Sequence, residues 1–336
     1  MRRRTYCGMT KVILLTVVFS FIGFYGEPNA QPQFPTKPIS LIVPYSPGGS
    51  SDMVARALSK VPQKYIGQTF MIVNKPGAAG TLGLNALADS RPDGYTIGIT
   101  NSGMILQPLV GQTRYNYATD LQPIAQAGYI PFVFAVKADA PWKDLTEFTK
   151  YAKEHPGAIK YGHTGIGNTA HTAPEHYAKL ANIKIEPIPF DGGAPLIAAL
   201  LGGHIQAIMN NPVDLKQHLI AGKIRVLAVA DEKRIDDPLL KDVPTFKEKG
   251  YPVNAMLWQG VGGPKGLPED VKRILADGFK NMMNDPETQK AIVDMGLVFE
   301  YLGPEEFGKK WVAQQESLKK ILIETGIMDI IKSQRK

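Results

Sequence analysis

The chain has 336 residues, 44% hydrophobic and 21% charged, with 33 Gly, 26 Pro and one Cys. These proportions exclude a generally disordered, collagen-like or multi-spanning membrane chain, and the length favours two domains. The formal charge is +7, but no Lys/Arg cluster is interleaved with aromatics, so no nucleic-acid partner is expected.

The first thirty residues form a class of their own. Arg2, Arg3, Arg4 and Lys11 precede an apolar run at 12–24, too short to span a bilayer comfortably but suited to the core of an export signal. Segment 1–30 reads as a leader cut near Ala30, although Pro28 fits the small-residue cleavage rule poorly; an uncleaved anchor is the other reading. The leader carries four Lys/Arg and one Glu, which leaves +4 on the remainder. That mild balance suits an anionic small ligand. Cys7 departs with the leader, so disulfides, Cys-based metal sites and Cys nucleophiles are excluded. It also precedes the apolar run, on the wrong side for lipoprotein acylation, so the mature protein is expected free outside the inner membrane.

Beyond a Pro-rich lead-in, β-rich runs alternate with helical patterns. A strand at 39–43 leads into Pro47-Gly48-Gly49-Ser50-Ser51-Asp52, after which Val54, Ala57, Leu58 and Val61 mark an amphipathic helix. Further strands are expected at 69–73 and 95–99, the latter ending in Thr100-Asn101-Ser102-Gly103. The pattern restarts beyond Gly128, with strands at 132–136, 159–162, 183–190, 205–209 and 224–230 separated by helical stretches. From about Asn254 a strand through Trp258 and Val261 precedes long amphipathic helices, one starting at Pro268-Glu269-Asp270. Such alternation implies parallel α/β sheets, and the restart implies two lobes.

In open parallel sheets, ligands bind where strand ends meet helix N termini. The Gly48-Gly49-Ser50-Ser51 loop and the Asn168-Thr169 turn offer backbone donors for an anion. The alternative is that these glycines only make turns, with Ser51 or Asp52 capping the helix. Gly165-x-Gly167-x-x-Ala170 matches a relaxed dinucleotide fingerprint, with Glu186 at the distance of a ribose contact, which keeps an exported dinucleotide-dependent oxidoreductase as the competing function. There is no G-x-S-x-G, G-x-x-x-x-G-K-[ST] or H-E-x-x-H motif. The six histidines do not pair on a helical face, so no metal is expected; His163 and His171 read as ligand donors or caps. Asp191 would repel an anion in the cleft and reads better as a helix cap. Tyr45, Phe190 and Trp258 are either cleft aromatics or core.

Taken together, 43–52, Gly67-Gln68, Val73-Asn74-Lys75-Pro76-Gly77-Ala78-Ala79-Gly80, Pro92-Asp93-Gly94-Tyr95-Thr96, Tyr161-Gly162 with Gly165-x-Gly167-Asn168, and Leu200-Leu201-Gly202-Gly203-His204 resemble the tripartite tricarboxylate transporter substrate-binding proteins, the Bug or TctC family. The resemblance covers essentially the whole mature chain. It implies a two-lobed α/β periplasmic binding protein of type II-like architecture, each lobe a mainly parallel sheet flanked by helices, with the ligand cleft between them. Lobe 1 would comprise 33–127 plus 254–336, and lobe 2 residues 128–253. The implied protein is a periplasmic monomer without cofactor, metal or catalysis, which captures a di- or tricarboxylate or aromatic carboxylate and delivers it to permease subunits.

The family's binding loops fall here on Tyr45, Ser46, Gly48, Gly49, Ser50, Ser51, Ala79, Thr100, Asn101 and Ser102 in the first lobe. In the second they fall on His163, Thr164, Gly167, Asn168, Thr169, Asp191, Gly193, Ala194 and Asn210. His163 stands where Ser or Ala is common, and Asn210-Asn211 replaces a frequent Asp.

Overall fold

The computed structural model describes residues 34–111, 113–190 and 192–333. The leader expected at 1–30 and the expected site residue Asp191 lie outside the described residues. Among the described residues, no helix is long and apolar enough to cross a membrane.

The first run of elements is β1 (Ile39–Val43), α1 (Ser50–Leu58), the short α2 (Pro62–Tyr65), β2 (Phe70–Asn74), α3 (Thr81–Ala88), β3 (Thr96–Asn101), α4 (Gly103–Val110), α5 (Tyr117–Asp120) and β4 (Leu121–Pro131). Alternation of side chains along β1 divides its residues between two faces. Ile39, Leu41 and Val43 pack with Val54, Ala55 and Leu58 of α1, while Ile42 packs with Leu84 and Leu87 of α3. Burial on both faces explains the near-continuous apolar run of this strand.

The second run is β5 (Val133–Lys137), α6 (Leu145–Glu154), β6 (Lys160–His163), α7 (Thr169–Ala181), β7 (Glu186–Pro189), α8 (Gly193–Leu201), β8 (Ala207–Asn210), α9 (Pro212–Ile220) and β9 (Ile224–Val229). The chain then returns through β10 (Met256–Pro264), α10 (Glu269–Met283), α11 (Pro286–Asp294), β11 (Val298–Leu302), α12 (Pro304–Glu324) and α13 (Ile327–Ser333). The sheet orders are β11-β4-β10-β3-β1-β2 and β7-β6-β8-β5-β9. Two lobes result, each with a sheet between helices.

The expectation of mainly parallel sheets requires a correction. β1 pairs in parallel with β2 and β3, and β6 with β7 and β8. However, β10 is antiparallel to β3 and β4, β11 to β4, and β5 to β8 and β9. The strands by which the chain leaves one lobe and comes back must run in opposite senses, so the sheets are mixed. β4 and β11 were also absent from the sequence expectation. β4 contains Pro123 and Gly128, and its pairing shifts register at two points along β10, which erases any clean alternation.

The lobes touch away from the strands that join them. Ile166, in the loop before α7, packs against Leu106 of α4, Leu322 of α12 and Ile327 and Ile331 of α13. On α7, Lys179 Nζ donates to the Glu324 carboxylate at 3.2 Å and to its backbone carbonyl at 3.3 Å.

Candidate functional site

The Gly48 loop in the first lobe is clamped from below. Gly48 has φ +85°, a conformation that glycine adopts without a Cβ penalty, whereas Gly49 does not need positive φ (φ −76°). The Gly48 N–H donates to Asp52 Oδ2 at 2.9 Å. Asp52, 1% exposed, also accepts from Arg56 Nε at 2.8 Å and Asn74 Nδ2 at 3.0 Å. The Arg56 hydrogen bond, against the opposing cost of burial, holds its carboxyl at about 2. Asp52 therefore braces the loop instead of capping the helix, and α1 begins after Gly49 with no side-chain cap.

A polar network joins this loop to the next strand end. Ser51 Oγ donates to Gln259 Oε1 at 3.1 Å and accepts from Asn101 Nδ2 at 3.2 Å. Gln259 Nε2 donates to Ser50 Oγ at 3.2 Å. Asn101 Oδ1 accepts from Tyr45 Oη at 3.1 Å and from the Gly103 N–H at 2.9 Å, at the start of α4. Gln259 is fully buried and Asn101 6% exposed, so each polar atom satisfied here avoids a desolvation penalty of roughly 1–3 kcal/mol.

The Gly165–Ala170 loop in the second lobe satisfies its own donors. The Gly165 N–H donates to His163 Nδ1 at 3.3 Å and the Gly167 N–H to His171 Nδ1 at 3.0 Å. Asn168 Oδ1 accepts from the His171 N–H at 3.0 Å, capping α7, and Asn168 Nδ2 donates to Thr164 Oγ1 at 3.0 Å. The loop glycines thus spend their N–H groups on histidines, not on a space for pyrophosphate. Glu186 lies exposed on the edge strand β7. His163 and His171 support the loop from the interior, each 2% exposed.

Between the lobes lies a cavity of about 410 Å³, within the size range of small-molecule sites. From the second lobe it is lined by Thr164, Gly167, Asn168 and Thr169 at the start of α7, Gly192 and Gly193 at the start of α8, and Asn210, Asn211 and Asp214 at the start of α9. The first lobe contributes Ser102 and Gly103 at the start of α4, Leu106, and Gln314, Ser317, Leu318 and Ile321 along α12. Phe132 and residues 254–257, where the chain crosses between lobes, complete the wall. Four helix N termini therefore converge on one space, and those of α4 and α8 have no side-chain cap. The Gly103 N–H of α4 is taken by Asn101 Oδ1, whereas the first turn of α8 keeps free N–H groups, and the partial positive charge of these helix starts favours an anion.

Of the residues expected from sequence, the cavity gathers Ser102, Thr164, Gly167, Asn168, Thr169, Gly193 and Asn210. Tyr45, Ser46, Gly48, Gly49, Ser50, Ser51, Ala79, Thr100, Asn101, His163 and Ala194 are not part of its lining. Trp258 is core, fully buried and stacked on Trp311 at 6.1 Å, and Phe190 packs with Leu196 and Ile205. Sequence reasoning missed His176, Asp214 and the α12 wall. An amphipathic helix far along the chain from the second-lobe lining loops carries no local mark of facing a ligand.

Two α/β lobes facing each other across a cavity rimmed by helix N termini define a solute receptor of the periplasmic-binding-protein type. The chain belongs to the family described as "Tripartite tricarboxylate transporter family receptor", whose model matches residues 54–326. Protein BugT of Bordetella pertussis is 30% identical over 294 residues, 85% of this chain and 87% of that protein. A TctC solute-binding protein from Polaromonas, solved without ligand, superposes with TM-score 0.79 at 32% identity, covering 87% of this chain and 99% of its own. An R. palustris protein solved with adipate gives TM-score 0.71 at 27% identity, covering 87% and 98%. This family consists of substrate-binding receptors, not enzymes, which replaces the oxidoreductase alternative.

Proposed function

We propose that this protein is an exported periplasmic receptor that captures a small organic carboxylate in the interlobe cavity and hands it to the membrane subunits of a tripartite tricarboxylate transporter. The supporting observation is the convergence of the α4, α7, α8 and α9 N termini on one cavity whose lining, among the described residues, contains no lysine or arginine. Such a site recognises an anion through backbone dipoles. The adipate held by a structural relative agrees with this chemistry. In this reading 33–127 with 254–336 form one lobe and 128–253 the other. Ser102, Thr164, Asn168, Thr169, Gly193 and Asn210 contact the ligand, and the Tyr45–Ser51 loop orders Asn101 and the start of α4 beside it.

Mass spectrometry of small molecules released from the natively purified protein tests the proposal, together with a thermal-shift screen of organic acids. A carboxylate that binds the native state stabilises it by RT ln(1 + [L]/Kd), about 2.7 kcal/mol at a hundredfold excess over Kd. Stabilisation by NAD analogues and by no carboxylate would sink it.

A further inference from the structure

At the α8 and α9 end of the cavity, hydrogen-bond donors stand next to an anion. Asn210 is 8% exposed and its Nδ2 has no acceptor, while its Oδ1 accepts from the Asn211 N–H at 2.8 Å. That bond fixes which way the amide faces, so the orphaned group is a donor, and a buried donor costs stability until something accepts from it. In the same lining, the Gly193 N–H in the first turn of α8 donates to none of the described residues. These donors suit a carboxylate.

The anion is Asp214, in the first turn of α9. Its Oδ2 accepts from Asn211 Nδ2 at 2.6 Å and lies 4.0 Å from the position a Cβ on Gly193 would take. Asp214 and the start of α8 can therefore grip neighbouring groups of one ligand. The helix itself does not need this carboxylate, because its cap is Asn211 Oδ1, which accepts from the Asp214 N–H at 3.0 Å. Nor does the lining give it a cation: among the described residues it holds no lysine or arginine, and burial pushes the His176 imidazole down, toward the neutral form. Desolvation on the cavity wall raises the Asp214 carboxyl, as expected of an anion short of both water and counter-charge. A plain carboxylate on these donors would add a second negative charge beside Asp214. An ammonium on the neighbouring carbon turns that repulsion into a charge-assisted hydrogen bond.

We infer that Asp214 is a specificity-determining residue and that the ligand is an α-amino acid, its carboxylate met by Asn210 and the start of α8 and its ammonium by Asp214. This rests on the carboxylate-receptor reading above and narrows it. An unpaired anion in the cavity rejects acids that lack the cation as well as selecting those that carry it. The ligand's side chain would extend toward Ser102, Thr164 and the α12 wall, where polar and apolar groups both line the space. A second carboxylate there is compatible with the assignment.

Calorimetry and thermal shift test this by comparing amino acids with their plain and hydroxylated counterparts: alanine with propionate and lactate, aspartate with succinate and malate, phenylalanine with 3-phenylpropionate and 3-phenyllactate. In whichever frame binds, the amino acid is expected to bind about tenfold or more tighter, the scale of one hydrogen bond between charged groups. Asp214→Asn keeps an acceptor for Asn211 and removes the charge. Once its ligand-free melting shows that it folds, it is expected to bind amino acid and plain acid within about threefold of each other. A native protein that binds the plain or hydroxy acid as tightly as the amino acid overturns the inference and leaves the carboxylate reading standing, as does a preference that survives in folded Asp214→Asn. If no common amino acid binds, the inference falls; if no organic acid of any class binds, the carboxylate reading falls with it.

Discussion

The imidazoles of His163 and His171 lie face to face, centroids 4.2 Å apart and planes 10° from parallel. Each accepts a loop N–H through Nδ1, a role open only to the neutral ring.

Burial, and then repulsion from a charged His163, pushes the His171 imidazole down to about 3, and burial also lowers His163. In the unfolded chain both take up protons near 6.5. Between pH 6.5 and 3 the unfolded state therefore binds more protons, and stability should fall as pH drops through that window. Glu175, raised by burial, acts in the opposite sense. Urea midpoints at pH 7 and 5 should converge in His171→Asn, which keeps an acceptor and removes the titration. A variant with the native pH slope would contradict this account.

Asp52 should matter more to the loop than to charge balance. Asp52→Ala strands the Gly48 N–H and the Asn74 amide, a loss of roughly 1–3 kcal/mol read from the melting temperature. Because its folded value is depressed, the Asp52 contribution is present above about pH 3.8 and disappears as pH falls through about 2. The acid limb of the stability curve should be shallower in the variant.

Ile166 holds the lobes together without lining the cavity. Ile166→Ala should remove about 1 kcal/mol of apolar contact from the arrangement in which the lobes touch, weakening ligand affinity several-fold through faster release. Small-angle scattering of the ligand-free protein should show a larger radius. Native affinity together with native dimensions would show that the contact does not bias closure.

Asn210→Leu separates binding from folding. The variant should melt within about 1 kcal/mol of the native protein, since discarding an orphaned buried donor offsets the loss of the acceptor that the Asn211 N–H finds in Asn210 Oδ1. It should bind the carboxylate about tenfold more weakly, the scale of one hydrogen bond to a charged group. Unchanged affinity would move the carboxylate elsewhere in the cavity.

Much of this architecture is local in origin and therefore visible in the sequence. Apolar runs at 39–43 and 224–230 mark strands, and the glycine and asparagine residues at 48–49, 165–168 and 192–193 mark the turns where strand ends meet helices. Periodicity and turn chemistry depend on near neighbours, so they survive without the fold. The partners of those loops do not. Ser51 finds Gln259 across 208 positions, Gly167 spends its N–H on a histidine that reads equally well as a ligand donor, and α12 brings Gln314, Ser317, Leu318 and Ile321 to a cavity whose other wall starts at Thr164. Which face of a helix meets which loop is decided by packing between elements distant in the chain. No short-range pattern carries that information, and only the tertiary structure supplies it.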